Sequence, residues 1–124
     1  MIIGTAQAAA ELFLPFFEGA EGEKLVVAHL DGARAVLATI ETQAEGADSV
    51  GLPVRRIIAD ALRLGGQGIV LAHNHPSGNP APSREDLEAT RELAETAARL
   101  GIRVHDHLIL GGGEYRSLRA LGLL

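Results

Sequence analysis

The segment 73–86 gathers more potential chemistry than any other part of the chain. His73 and His75 lie two residues apart, and residues i and i+2 of a strand point to the same side, so the two imidazoles should project together. Asp86 should lie in the first turn of the helix that follows. Two imidazoles and one carboxylate are enough for a catalytic zinc site, which takes three protein ligands and leaves the fourth position to water.

Each of these residues also has an ordinary structural explanation. Ser83-x-x-Asp86 fits a weak capping-box pattern, and taken alone a cap is favoured over a ligand by about three to one. The histidines alone fit a surface pair as well as a metal pair. The three prolines within 74–82 favour the metal, because a stiffened loop would hold ligands still and a cap does not need one. A Ser83 that starts the helix can also turn its hydroxyl toward a metal.

A hydrolytic site further needs a group that takes a proton from water and returns it to the leaving amine. Glutamate suits this role, since burial near a metal can bring its pKa close to neutral. The upstream candidates are Glu21, Glu23 and Glu41, and position alone does not choose among them.

Composition limits the class of protein. The 124 residues suit one domain, and a hydrophobic content of 47% is enough for a core, although only 3% of residues are aromatic. The formal charge of −5 gives no basic surplus for binding a phosphate backbone. The absence of cysteine excludes disulfides and thiolate ligands and fits a cytoplasmic protein.

The apolar segment 2–17 is interpreted as a helix of the domain and not as a secretory signal. No Lys or Arg precedes Lys24, and Glu11 interrupts the apolar run, whereas a signal peptide needs a positive start and a clean apolar stretch. No part of the chain is apolar over a length that would span a bilayer.

The hydrophobic pattern predicts alternating helices and strands, and hence an α/β protein with a mixed sheet. Helices are predicted over 5–18, 53–64 and 83–100, strands over 24–30, 33–41, 68–72 and 102–110, and a short closing element over 115–121. Pro53 is predicted as the first helical residue, Asp31-Gly32 as a tight hairpin turn, and 42–52 as a loop or irregular edge. Leu100 is assigned to the dry face of the third helix.

The pattern His73-x-His75-x7-Ser83-x2-Asp86 resembles the JAMM motif of the JAB/MPN+ metalloproteases, with every ligand position and both spacings kept. Because so many positions are fixed, the motif is specific. The wider strings 72–78 and 82–86 are similar to the bacterial RadC branch of that family. So are 106–111 and 113–118, and the resemblance extends over about residues 21–124.

The resemblance implies a single JAB/MPN-like domain with a curled mixed β-sheet flanked by helices, in a cytidine-deaminase-like layer architecture. Residues 1–20 would form an N-terminal helix and 21–124 the catalytic core of this one domain, 1–124. The implied activity is that of a zinc metalloprotease that hydrolyses a peptide or isopeptide bond. Its substrate would be a protein or peptide. DNA contact stays open, no membrane is implied, and a homodimer is allowed.

The resemblance also assigns roles to residues. One Zn²⁺ would be held by His73, His75 and Asp86. The family carries a glutamate upstream of a Leu-Asp pair, here Leu30-Asp31, and this selects Glu23 as the general base. Ser83 would donate a hydrogen bond to the oxyanion.

Two departures from the family pattern affect function. RadC-like proteins usually carry an N-terminal helix-hairpin-helix region, and only about 20 residues precede the core here. We therefore expect that region to be missing and do not carry over a DNA-repair role. The segments Glu45-Gly46 and 52–55 fit the family only loosely, and both are expected near a substrate groove.

The same residues allow other functions. A metal-dependent nuclease is one rival. A zinc deaminase is excluded as usually built, because it needs a Pro-Cys-x-x-Cys pair. A non-catalytic scaffold is given a weight of roughly one in six, since a fold alone is silent on function.

Three further histidines lie outside the motif, and one of them, His107, directly follows an aspartate. Asp106 and His107 are equally compatible with orienting a metal ligand and with an internal hydrogen-bonded pair that fixes a strand. His29 and His105 are interpreted as structural or surface residues.

Overall fold

The computed structural model describes residues 1–43 and 52–124 and confirms the α/β class. Its elements, in chain order, are α1 (Ala6–Phe17), β1 (Lys24–Leu30), β2 (Val36–Gln43), α2 (Val54–Leu64), β3 (Gly68–Asn74), α3 (Arg84–Ala98), β4 (Arg103–Gly111) and β5 (Glu114–Ser117). The pair Glu45-Gly46 and most of the loop predicted over 42–52 lie outside the described residues.

The five described strands form one mixed sheet in the order β2-β1-β3-β4-β5. β3 and β4 are parallel, with α3 as the connection between them, and the other neighbouring pairs are antiparallel. This arrangement places the carboxyl end of β3 close to the start of α3. The prediction of a mixed sheet is confirmed.

Both faces of the sheet are covered, which explains the contiguous apolar residues of β1 and β3. Alternate residues of each strand point to opposite faces. On the face covered by α1, Phe13 packs against Val26, Val70 and Leu108. On the face covered by α2 and α3, the packed residues include Leu25, Val27, Ile57, Leu71 and Leu93.

The two helices near the motif begin and end at residues with clear local roles. Gly65 closes α2 in the left-handed conformation, with φ of 67°, and its N–H bonds back to the last turn. Pro53 is the residue before the first helical residue, one position earlier than predicted. Leu100 is 49% exposed and follows the end of α3, so its assignment to the dry face was wrong.

The turn between β1 and β2 is longer than the predicted two-residue hairpin. The Asp31 carboxylate accepts hydrogen bonds from the backbone N–H groups of Ala33 and Ala35, and Arg34 takes a φ of 65°. These contacts keep residues 31–35 in the turn, so β2 begins at Val36 and not at Ala33.

None of the helices in the described part of the chain has the length and apolar character needed to cross a membrane.

Candidate metal centre

The two motif histidines and the motif aspartate meet at the end of β3. One potential ligand atom from each of His73, His75 and Asp86 lies within 4.8 Å of the other two. His73 Nε2 is 3.3 Å from Asp86 Oδ1, and His75 Nε2 is 3.0 Å from Asp86 Oδ2. The prediction that the two rings project together is confirmed by a ring separation of 4.9 Å.

Asp86 is both part of a helix cap and part of this cluster. Ser83 Oγ accepts a hydrogen bond from Asp86 N, and Asp86 Oδ2 accepts one from Ser83 N, which completes a capping box. Burial alone would raise the pKa of the Asp86 carboxyl, but the contacts from His73 and from Ser83 together outweigh burial and hold the pKa well below its usual range. The carboxylate is therefore ionised and faces both imidazoles.

The loop that carries His75 is fixed against the turn between β4 and β5. His75 N donates to Leu110 O at 2.8 Å. At Gly111, a Cβ would lie 2.9 Å from the backbone of Gly78, so only glycine permits this approach. The close packing sets the position of the loop carbonyl groups around the His75 ring.

The ring nitrogens of both histidines have distinct partners. His75 Nδ1 lies 2.9 Å from the backbone oxygen of Asn79, which can only accept, so Nδ1 carries the proton. His73 Nδ1 lies 2.7 Å from His107 Nε2. In both residues Nε2 is the nitrogen that faces Asp86.

This donor set suits a divalent cation. When both imidazoles are neutral and donate through Nδ1, their Nε2 lone pairs face the Asp86 carboxylate, an arrangement that a bound cation would satisfy. Metal-binding histidines usually donate their other ring N–H to a carbonyl or similar acceptor, as His75 does. Tetrahedral bonds of about 2.0–2.1 Å place ligand atoms roughly 3.3 Å apart, which is close to the observed separations from Asp86. The residues present therefore fit a bound metal ion such as zinc.

His107 and Thr90 lie directly behind the cluster, and both are only 1% exposed. Thr90 Oγ1 is 2.7 Å from His107 Nδ1 and 2.6 Å from Asp86 O. Complete burial lowers the pKa of His107 well below its ordinary value, and the neighbouring His73 lowers it further. Thr90 was missed from the sequence, although its place one helical turn after Asp86 on the same face was the available signal.

Asp106 points to the opposite face of the sheet and does not contact the cluster. Its carboxylate accepts hydrogen bonds from Ser117 Oγ and from the backbone N–H groups of His107 and Arg119. Asp106 and His107 were both compatible with orienting a metal ligand and with fixing a strand, and in the structure each residue fits a different one of these roles. His107 contacts a candidate ligand, whereas Asp106 ties β4 to β5 and to the chain beyond it.

Glu23 lies outside the three-residue cluster, with an exposed side chain at the start of β1. Its backbone is nevertheless anchored beside the histidines by Asn74. The Asn74 amide accepts from Lys24 N at 2.8 Å and donates to Gly22 O at 3.0 Å, so it holds the residues on both sides of Glu23. Asn74 was also missed, because its role depends on a neighbouring strand that is remote in sequence.

The other glutamates considered as bases have different surroundings. Glu41 Oε1 lies 2.7 Å from Lys24 Nζ in an ion pair. Glu21 is exposed, two residues before Glu23.

His29 and His105 stand apart from the cluster. His29 is fully buried, and neither ring nitrogen has a hydrogen-bond partner in the described part of the chain. Burial lowers the pKa of His29, and it lowers the pKa of His105 to about 4 with help from nearby arginines.

Comparison with known proteins identifies the family. The model of the family described as "RadC-like JAB domain" matches residues 3–123. A UPF0758 protein of Salinibacter ruber is 36% identical over 115 residues, which cover 93% of this chain and 49% of that protein. One from Geobacter sulfurreducens is 41% identical over 95 residues, which cover 77% of this chain and 42% of that protein. The chain thus spans about half the length of these curated relatives, and it belongs to the RadC-like JAB domain family.

Proposed function

We propose that this protein is a zinc-dependent hydrolase that cleaves a peptide or isopeptide bond in a protein or peptide substrate. The observation that carries the proposal is the convergence of His73 Nε2, His75 Nε2 and one Asp86 carboxylate at the end of β3. The expected compartment is the cytoplasm, in keeping with a chain that has no cysteine.

The three ligands would hold one zinc ion with a coordination position left open. Zinc held by these residues would supply two kinds of chemistry, a water whose pKa is lowered toward ~7 and a polarised carbonyl oxygen. The loop and capping box keep the ligands in place before any substrate binds, which is what a preorganised site requires.

Glu23 is the proposed general base. Leu25 packs on the sheet face covered by α2 and α3 and pairs with His73. Glu23 directly precedes β1, and an extended continuation of that strand would direct its side chain to the same face. Its carboxylate has no polar partner in the described part of the chain, so it is available to take a proton. Asn74 fixes the backbone on either side and limits where this carboxylate can reach.

Ser83 is the proposed oxyanion donor. Its oxygen accepts the hydrogen bond from Asp86 N, so the hydroxyl proton is still available for a second partner. In other hydrolases the removal of one oxyanion donor costs about 3–4 kcal/mol of transition-state stabilisation.

The decisive experiment compares two neighbouring glutamates. Zinc-loaded wild-type protein, Glu23→Gln and Glu21→Gln are incubated with a whole-proteome extract. New amino termini from peptide bonds, and newly freed lysine ε-amino groups from isopeptide bonds, are identified by mass spectrometry. Zinc content is measured in each protein. We expect wild type and Glu21→Gln to cleave equally, and Glu23→Gln to bind zinc fully but to lose cleavage by at least about 10²-fold, at the low end of the range for general-base catalysis.

The other outcomes separate the rival functions. Cleavage by Glu23→Gln at the wild-type rate would remove Glu23 as the base. Zinc-dependent degradation of plain DNA without new amino termini would favour a nuclease. A protein that takes up no zinc under non-chelating conditions would favour a scaffold.

A further inference from the structure

A continuous line of hydrogen bonds runs behind the candidate metal centre, from one proposed ligand to another. It starts at the backbone oxygen of Asp86, passes through the hydroxyl of Thr90 and the ring of His107, and ends at Nδ1 of His73. Its two inner members are buried, so water cannot substitute for a missing bond.

The direction of donation along this line follows from the chemistry of its first group. Asp86 O has no proton, so its approach to within 2.6 Å of Thr90 Oγ1 requires the hydroxyl to donate to it. A hydroxyl has only one proton, so Thr90 must accept from His107 Nδ1, which is 2.7 Å away.

The same logic continues through the ring of His107. A neutral imidazole with its proton on Nδ1 has a lone pair on Nε2. His107 Nε2 therefore accepts from His73 Nδ1, at 2.7 Å, and a neutral His73 is left with a lone pair on Nε2. That nitrogen faces Asp86 at 3.3 Å.

We propose that Thr90 and His107 are positioning residues that hold His73 in the tautomer able to bind a metal. The inference deepens the proposed function, because it rests on His73 being a ligand. Since the line begins on the backbone of Asp86, it also ties the positions of the two ligands to each other. If each hydrogen bond between Thr90, His107 and His73 were donated in the opposite direction, His73 would carry a proton on Nε2, and that nitrogen could not bind a cation.

His75 provides an internal reference in the same protein. Its Nδ1 proton is fixed by the backbone oxygen of Asn79, and neither Thr90 nor His107 is hydrogen-bonded to its ring in the described part of the chain. A change at Thr90 should therefore alter the tautomer of His73 and leave that of His75 unchanged.

The test uses a substitution that keeps shape and removes only the hydroxyl. Thr90→Val leaves His107 Nδ1 without its acceptor, which favours the other His107 tautomer and so drives the proton of His73 toward Nε2. Thr90→Ser restores the hydroxyl. Thr96→Val makes the same chemical change on α3 at a threonine whose side chain forms no hydrogen bond in the described part of the chain.

Two measurements are made on wild type and all three variants. Long-range ¹H–¹⁵N NMR of the metal-free protein, at a mildly alkaline pH where imidazoles are neutral, assigns the protonated nitrogen of each ring. Competition with a chromophoric chelator gives the affinity for Zn²⁺. We expect Thr90→Val to show protonated Nε2 in His73 alone and to bind Zn²⁺ about 10- to 100-fold more weakly. Thr90→Ser and Thr96→Val should resemble wild type in both measurements.

The two proposals can fail separately. A His73 that keeps its proton on Nδ1 in Thr90→Val, with unchanged Zn²⁺ affinity, would overturn the positioning role. The positioning role would also be overturned if Thr90→Ser behaved like Thr90→Val. A loss of Zn²⁺ affinity that a restored hydroxyl does not rescue would come from altered packing and not from a missing hydrogen bond. If wild type binds no Zn²⁺, the proposed function fails, while the NMR assignment still decides the direction of the hydrogen bonds.

Discussion

Asp86 and Asp106 lie on opposite faces of the sheet, each hydrogen-bonded to a nearby serine, and their surroundings differ in one respect. Asp106 is surrounded by donors, namely Ser117 Oγ and two backbone N–H groups, so its carboxyl oxygens have their hydrogen-bond partners within the protein. Asp86 receives a backbone N–H from Ser83 but also faces Nε2 of His73 and Nε2 of His75, which carry no proton in the neutral tautomers proposed above. Burial of an acid is thus a poor sign of function, whereas an excess of acceptors over donors indicates a site for a cation.

The largest expected effect separates these two acids directly. Asp86→Asn removes the anionic ligand but keeps an oxygen for the helix cap, so we expect Zn²⁺ affinity to fall by at least about 10²-fold with the fold retained. Asp106→Asn should keep Zn²⁺ affinity and lose about 1–3 kcal/mol of stability, because a buried hydrogen-bond network is broken. Chelator competition and denaturant unfolding measure the two quantities. Equal loss of zinc in both variants would contradict the comparison.

A second test concerns the anchoring of Glu23. Asn74→Ala removes both hydrogen bonds that hold the backbone around Glu23, and a misplacement of about 1 Å can cost roughly 10²-fold in rate. We expect kcat to fall by about that factor on a substrate found in the amino-terminus screen, with Zn²⁺ affinity unchanged.

Asn79→Ala is the matched control for this test. Its side chain accepts only from Ala81 N within its own loop. A similar fall in kcat for both variants would mean that the loop, and not Glu23, had been disturbed.

The smallest expected effect concerns a histidine with no role in the site. Burial lowers the pKa of His29 from 6.5, so the unfolded chain binds a proton there that the folded chain does not. The lowered pKa therefore costs no stability above pH 6.5, the pKa of the unfolded chain. As the pH falls from 6.5 to the lower pKa of the folded state, the free energy of unfolding decreases. We expect His29→Leu to lose less stability than wild type over that interval, as measured by unfolding midpoints in a pH series.

His107 and His105 also have lowered pKa values and destabilise the folded state at low pH in the same way. In His29→Leu the dependence of stability on pH should therefore become shallower without vanishing. A steeper pH dependence in His29→Leu would contradict the assignment of His29 as a neutral buried residue.

Local patterns predicted the elements of this protein well wherever neighbouring residues determine the outcome. The apolar spacing of α2, the run of β3 and the Ser83 cap at the start of α3 are all readable from a few consecutive residues. The turn at 31–35 was mispredicted because the Asp31 side chain competes for backbone N–H groups, which the Asp-Gly signal does not reveal.

For the candidate site, the sequence by itself determined the identity and spacing of the candidate metal ligands, since the two histidines share one strand end and Asp86 lies in the first turn of the next helix. Only the tertiary structure decided what lies behind them. Thr90 contacts His107 from 17 positions away. Asn74 contacts Lys24, at the start of β1, from 50 positions away and Gly22 from 52 positions away. The physical reason is that a hydrogen bond depends on distance and direction in space, and the pairing of strands in the sheet, not the order of residues, sets both.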